Sequence, residues 1–169
     1  MIILGIDPGT ASTGYGILET DTNLKNKPEV LDYGSIKTKP GREEAYRLAK
    51  IQKEIKEVID EYKPDVAVIE ALYFFRNKGS AISVSQAKGV TLFTLYNNNI
   101  PIYEFSPPEV KLTVTGYGKA KKSDLQKTIK KFLKLKKIPR PNHAADAIAL
   151  GLCYLIQNKF LEKPKFKKS

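Results

Sequence analysis

The spacing of apolar positions changes several times along the chain, and each change marks an element. Residues 2–6 are almost all apolar, as in a strand buried on both faces. Asp7-Pro8-Gly9-Thr10 forms a turn, and residues 13–19 (Thr-Gly-Tyr-Gly-Ile-Leu-Glu) form a second strand. A polar loop from Asp21 to Pro28 leads to a third strand, Val30 to Lys37. Three strands on short loops predict an antiparallel meander. From Gly41 to Tyr62 the period becomes helical, with Ala45, Leu48, Ile51, Ile55, Val58 or Ile59, and Tyr62 on one stripe, until Pro64 stops it.

Asp65 to Glu70 predicts a short buried strand that ends in an acid. Residues 79–97 predict a helix whose small residues, Ala81, Ser85, Ala87 and Gly89, admit a close neighbour, and Ile100 to Phe105 another strand. Ser106-Pro107-Pro108-Glu109 is a capping box that starts a helix ending near Gly116-Tyr117-Gly118. A basic helix follows over about 121–137, with Leu125, Ile129, Phe132 and Leu133 inward. Pro139 to Asn142 is a linker with Asn142 as N-cap, and a last helix runs from His143 to Asn158. The order predicts one α/β domain over residues 1–158 with a five-stranded mixed sheet, its first three strands antiparallel, and a basic tail over 159–169.

Charge adds a division that hydropathy does not show. The chain has 169 residues and a formal net charge of +11. Residues 1–110 hold 13 basic and 15 acidic side chains, whereas residues 111–169 hold 16 basic and only 3 acidic ones, Asp124, Asp146 and Glu162. The excess therefore lies in the last third and points to a polyanionic partner. The longest apolar run, Ala147 to Ile156, is far short of the roughly 18 residues of a membrane span. The start reaches Asp7 without a basic leader, so a cytoplasmic protein with no membrane partner is expected. One cysteine, Cys153, and one histidine, His143, exclude an internal disulfide and a Cys-rich zinc site. A metal would sit mainly on carboxylates and would be a hard cation.

Three acids occupy places that invite such a cation. Asp7 and Glu70 end buried strands, and Asp146 lies within the most apolar helical segment, three residues after His143. Strand ends of an α/β sheet meet at one edge, so a last helix crossing that edge would bring Asp7, Glu70, His143 and Asp146 together. Two magnesium ions about 3.5–4 Å apart would neutralise them and drive in-line displacement at a phosphodiester. Each acid also has a plainer role: Asp7 capping its turn through Thr10, Glu70 pairing with Arg76, Asp146 answering a helix dipole.

Several blocks together resemble one family. They are Gly5-Ile6-Asp7-Pro8-Gly9-Thr10 with Thr13-Gly14-Tyr15-Gly16, Val68-Ile69-Glu70, Gln86-Ala87-Lys88-Gly89-Val90, Val110-Lys111 with Gly116-Tyr117-Gly118, and His143-Ala144-Ala145-Asp146-Ala147. In this order they resemble the RuvC family of Holliday-junction resolvases, over about residues 1–158. The resemblance implies a ribonuclease H-like fold and a homodimer. It also implies a magnesium-dependent endonuclease that nicks two opposing strands of a four-way DNA junction symmetrically, in recombination and repair. It places the catalytic, metal-binding acids at Asp7, Glu70 and Asp146 and the fourth site position at His143, whose imidazole favours Mn2+ as a substitute. Whether His143 ligates or serves as a general base stays open.

The same resemblance puts Tyr73 and Phe74 against opened bases, where stacking contributes roughly 1–3 kcal/mol each. It puts Lys111 and Lys122 near the scissile phosphate. Arg76, Lys119 and Lys121 join the DNA-binding set, and Gln86, Ala87, Gly89 and Val90 mark a dimer helix. RuvA and RuvB are the partners it implies. Two other readings remain: a non-catalytic DNA-binding protein, or an RNA–DNA hybrid nuclease, on the same fold. A phosphate loop of the actin-like ATPase kind is also suggested by Asp7-Pro8-Gly9-Thr10, but the chain is too short for the two lobes such proteins need.

Overall fold

The computed structural model describes residues 1–21, 27–71 and 78–160, with the backbone alone for 78–80. A five-stranded sheet holds β1 (Ile2–Asp7), β2 (Ser12–Glu19), β3 (Glu29–Lys37), β4 (Val66–Glu70) and β5 (Ile102–Phe105), in the order β3-β2-β1-β4-β5. The first three pair antiparallel, and β4 and β5 add in parallel. The helices are α1 (Glu44–Tyr62), α2 (Lys78–Asn97), α3 (Pro107–Thr115), α4 (Lys122–Phe132) and α5 (Asn142–Gln157). The mixed sheet expected from the sequence is present.

Strand alternation divides the core into two layers. Leu4, Ile6, Ile17, Ala67 and Ile69 point to one side, where they meet Ile51, Ile55 and Ile59 of α1 and Ala87 and Leu95 of α2. Ile3, Leu18, Val66 and Val68 point to the other side, into a cluster built by α3, α4 and α5. Nearly all of α5 is buried, from Ala144 to Ile156 with the half-exposed Asp146 as the interruption.

α5 lies unusually close to the sheet because glycines floor its path. A Cβ on Gly5 would sit 1.9 Å from the Ala147 carbonyl oxygen, and one on Gly14 would sit 2.2 Å from that of His143. No side chain fits between these strands and the helix backbone, so main chain packs on main chain. This contact sets where the first turns of α5 fall.

Two boundaries depart from expectation. The basic helix stops at Phe132 rather than about residue 137, because Lys134 takes a left-handed backbone at φ 53° and Leu133 and Leu135 turn back toward the core. Asn142 does not cap α5, whose capping position is Pro141. Its side-chain oxygen accepts from Arg140 Nη1 at 2.7 Å and Gln126 Nε2 at 3.1 Å, which ties the linker to α4.

Candidate active site

The register of the central strands brings the two strand-end acids together. Ile6 pairs with Ile69 in the parallel β1–β4 ladder, so Asp7 and Glu70 leave the sheet side by side. Both fall on the α5 face by alternation from Ile3 and from Val66 and Val68. α5 then supplies His143 and Asp146 from above.

His143 Nδ1 lies 2.6 Å from Asp7 Oδ2. One ligand atom each from Asp7, His143 and Asp146 fall within 4.8 Å of one another, with Asp7 buried, Asp146 half-buried and His143 exposed. Glu70 stands beside this group; burial and the Asp7 and Asp146 carboxylates push its carboxyl up to about 7, against the opposing pull of Lys122 and His143. Burial also raises Asp146, and the hydrogen bond to Asp7 raises the His143 imidazole. Lys122 pairs with Asp146. A cleft of about 180 Å³ is lined by Glu70, Lys111, Lys122, Leu125, Asp146 and Leu150, among others.

These residues fit a hard divalent cation. Two carboxylates and an imidazole offer converging ligand atoms, and a third carboxyl is held up by burial and by the neighbouring carboxylates, a charge that a cation would offset.

The loop after Asp7 is held from several sides. Thr13 donates its hydroxyl to the Gly9 carbonyl at 2.8 Å and accepts from Gly9 N–H at 3.3 Å. The Thr10 hydroxyl donates to the Ser83 carbonyl of α2, and the Thr10 carbonyl accepts from the Thr38 hydroxyl at 2.5 Å. Arg47 Nε donates to that same hydroxyl oxygen at 2.8 Å. Thr10 therefore serves α2 rather than a cap for Asp7, whose partner is His143.

The other expected positions divide. Lys111 lines the cleft, and Lys119 and Lys121 are exposed on the segment between α3 and α4. Tyr73, Phe74 and Arg76 lie outside the described residues, and with Arg76 the plainer reading of Glu70. On α2, Gly89 is exposed and Val90 and Gln86 are half-buried, but Ala87 is fully buried in the sheet-facing core and offers nothing to a partner. The exposed apolar positions of α2 are Ile82, Phe93 and Tyr96, at 70%, 62% and 76%. With Gly89 they recur at 82, 89, 93 and 96, one helical face of which a search for small residues finds Gly89 alone. Tyr117, which the sequence marks only as part of the Gly116-Tyr117-Gly118 block, is exposed beside the basic segment.

A mixed five-stranded sheet with carboxylates at two adjoining strand ends and on a helix laid across them defines a nuclease of the ribonuclease H-like class. Residues 3–154 match the family described as RuvC, crossover junction endodeoxyribonuclease RuvC. A crossover junction endodeoxyribonuclease RuvC of Petrotoga mobilis is 47% identical over 154 residues, which is 91% of this chain and 93% of that one. One of Alkaliphilus oremlandii is 42% identical over 99% of this chain and 100% of its own. Among solved structures, T. thermophilus RuvC in complex with a Holliday junction substrate superposes with a TM-score of 0.87 at 30% identity, covering 94% of this chain and 95% of that one. The chain belongs to the RuvC family of crossover junction endodeoxyribonucleases.

Proposed function

We propose that this chain resolves four-way DNA junctions by metal-dependent hydrolysis of phosphodiesters in two opposing strands, in recombination and repair. The observation that carries the reading is the convergence of Asp7, His143 and Asp146 beside Glu70, in a cleft that also holds Lys111 and Lys122. Asp7, Glu70, His143 and Asp146 are the residues that would hold the metal, two Mg2+ ions with Mn2+ as substitute. Held by these residues, such ions would supply activation of a water and charge stabilisation of the leaving oxygen.

The chain's own groups do the positioning. His143 Nδ1 is committed to Asp7, which leaves Nε2 as the ring atom for ligation or general-base work. Lys111 and Lys122 flank the cleft and orient the scissile phosphate, while Lys119 and Lys121 extend the contact along the backbone. Tyr73 and Phe74 stack on opened bases, and Arg76 adds a backbone contact.

A homodimer presents two such sites to opposing strands. The α2 face of Ile82, Gly89, Phe93 and Tyr96 suits that interface, because it is apolar and exposed. Among the described residues no helix is long and apolar enough to cross a membrane. A cytoplasmic protein of one nuclease domain over 1–158 with a basic tail, working with RuvA and RuvB, completes the proposal on family membership.

The test compares substrates under Mg2+. A four-way junction is cut at two symmetric positions, whereas an RNA–DNA hybrid and a plain duplex are left intact. Preferential cutting of the hybrid would overturn the reading in favour of a hybrid nuclease. Binding of the junction without Mg2+-stimulated nicking would favour a DNA-binding protein.

A further inference from the structure

Lys122 opens α4 and Asp146 lies early in α5, 24 residues later. Their ion pair bridges the two helices at the mouth of the active-site cleft. The arrangement is selective. Among the described residues, Lys111 lines the same cleft without pairing with a carboxylate, and the ammonium groups of Lys119, Lys121, Lys127, Lys130 and Lys131 also form no ion pair. The Lys122 ammonium therefore sits on an oxygen-bearing group that a divalent cation also uses. Both species are positive and seek the same carboxylate, so each weakens the other's hold on it.

The competition has a second consequence. An ammonium held by Asp146 must leave it before it can serve a DNA phosphate. Its side chain is 48% exposed and ends a flexible four-carbon stem, so it can swing without moving α4. We propose that Lys122 is the internal counter-ion of Asp146: cation entry displaces its ammonium, and the displaced ammonium becomes a phosphate ligand, so that cation and junction binding are positively coupled through this one side chain. By linkage the coupling is reciprocal, with the junction raising cation affinity by the same factor. The inference rests on the reading that Asp146 holds a cation.

Two binding measurements on the full chain test it, neither using turnover. Mn2+ is titrated without DNA, following the free-ion paramagnetic resonance signal. Lys122→Met is expected to bind Mn2+ about three- to tenfold tighter than wild type, whereas Lys111→Met, which removes a charge from the same cleft but no partner of Asp146, shifts it little. Four-way junction affinity is then measured in EDTA and in Ca2+. Wild type gains more from Ca2+ than Lys122→Met does, and the two differ least in EDTA. Lys122→Gln, which retains a polar group at the helix start, is expected to repeat both signs if the methionine variant folds poorly.

Asp146→Asn separates the two ways of failing. If it leaves Mn2+ binding unchanged, the cation-site reading and the proposal both fall. If it weakens Mn2+ binding while wild type and Lys122→Met bind Mn2+ equally, the proposal alone falls. Equal tightening by Lys111→Met would also overturn it, because the effect would then belong to the general field of the cleft.

Discussion

The helical layers on the two faces of the sheet both carry lysines and use them differently. On α1, Lys50 faces Glu54 at 3.3 Å, Lys53 faces Glu57 at 3.9 Å, and Lys56 pairs with Asp60, all one helical turn apart. The helix neutralises itself, and such exposed pairs add only about 0.3–0.5 kcal/mol each. On α4 and its flanks, Lys119, Lys121, Lys127, Lys130, Lys131, Lys134, Lys136 and Lys137 are exposed, and their ammonium groups form no ion pair among the described residues. The ion pair that Lys122 makes there is with Asp146, one of the three residues whose ligand atoms converge. Lysine content alone therefore does not mark a nucleic-acid surface. What sets the α4 layer apart is that its lysines, Lys122 excepted, form no side-chain ion pair among the described residues, even where Asp124 stands three residues away.

The largest expected effect lies on the α5 side. Asp7→Asn should lower Mg2+-dependent junction cleavage by roughly a thousandfold or more while leaving junction affinity nearly unchanged, since it removes a site ligand and no phosphate contact. Single-turnover cleavage and gel-shift assays on the same preparation check it.

Gly14→Ala should come next. Its Cβ would meet the His143 carbonyl, so α5 must shift or the strand must bend, at a cost of about 1–3 kcal/mol in stability. Thermal melting should show that loss, and cleavage should fall further than the melt alone explains, because His143 and Asp146 move away from Asp7 together.

The charge comparison itself can be broken by two matched triple variants. Replacing Lys127, Lys130 and Lys131 by Gln should reduce the salt dependence of junction binding, by roughly 0.9 in the log–log slope for each phosphate that is no longer neutralised. Replacing Lys50, Lys53 and Lys56 by Gln should leave that slope where it was. Equal slopes in the two variants would erase the difference between the layers.

The smallest effect appears at alkaline pH and belongs to the α1 side. Burial and a 3.0 Å hydrogen bond to Asp32 push the Tyr15 hydroxyl up to about 12. The unfolded chain ionises this tyrosine near pH 10, so between about 10 and 12 the unfolded state has lost a proton that the folded state keeps. Stability present below pH 10 is therefore lost as pH rises through that window. Urea melts of wild type and Tyr15→Phe should show a shallower alkaline decline in the variant, above a background common to both.

Much of this was legible in the sequence because the signals are local. Periodicity marked the strands and helices, and Asp7, Glu70, His143 and Asp146 stood out because acids and a lone histidine at strand ends or in an apolar helix need a reason. The features that escaped depend on distant packing. Lys122 and Asp146 meet only because the linker folds α4 back beside α5. Gly5 and Gly14 read as ordinary strand glycines until a helix backbone lies on them. The true end of α4 turns on a left-handed Lys134, a residue type with no strong preference for that conformation. On α2, attention to small residues selected Ala87, which packs inward, while the exposed Phe93 and Tyr96 sit on the other side of the same helix.

The bond between His143 and Asp7 spans 136 residues of sequence. During synthesis the ribosome delivers Asp7 early and Glu70 about midway, and both wait until the chain has emerged through α5. On the proposed assignment, a nascent chain would hold two of the four site residues and lack the other two. On that assignment, the capacity to sever DNA would arrive with α5, the helix that closes the hydrophobic layer on its face of the sheet.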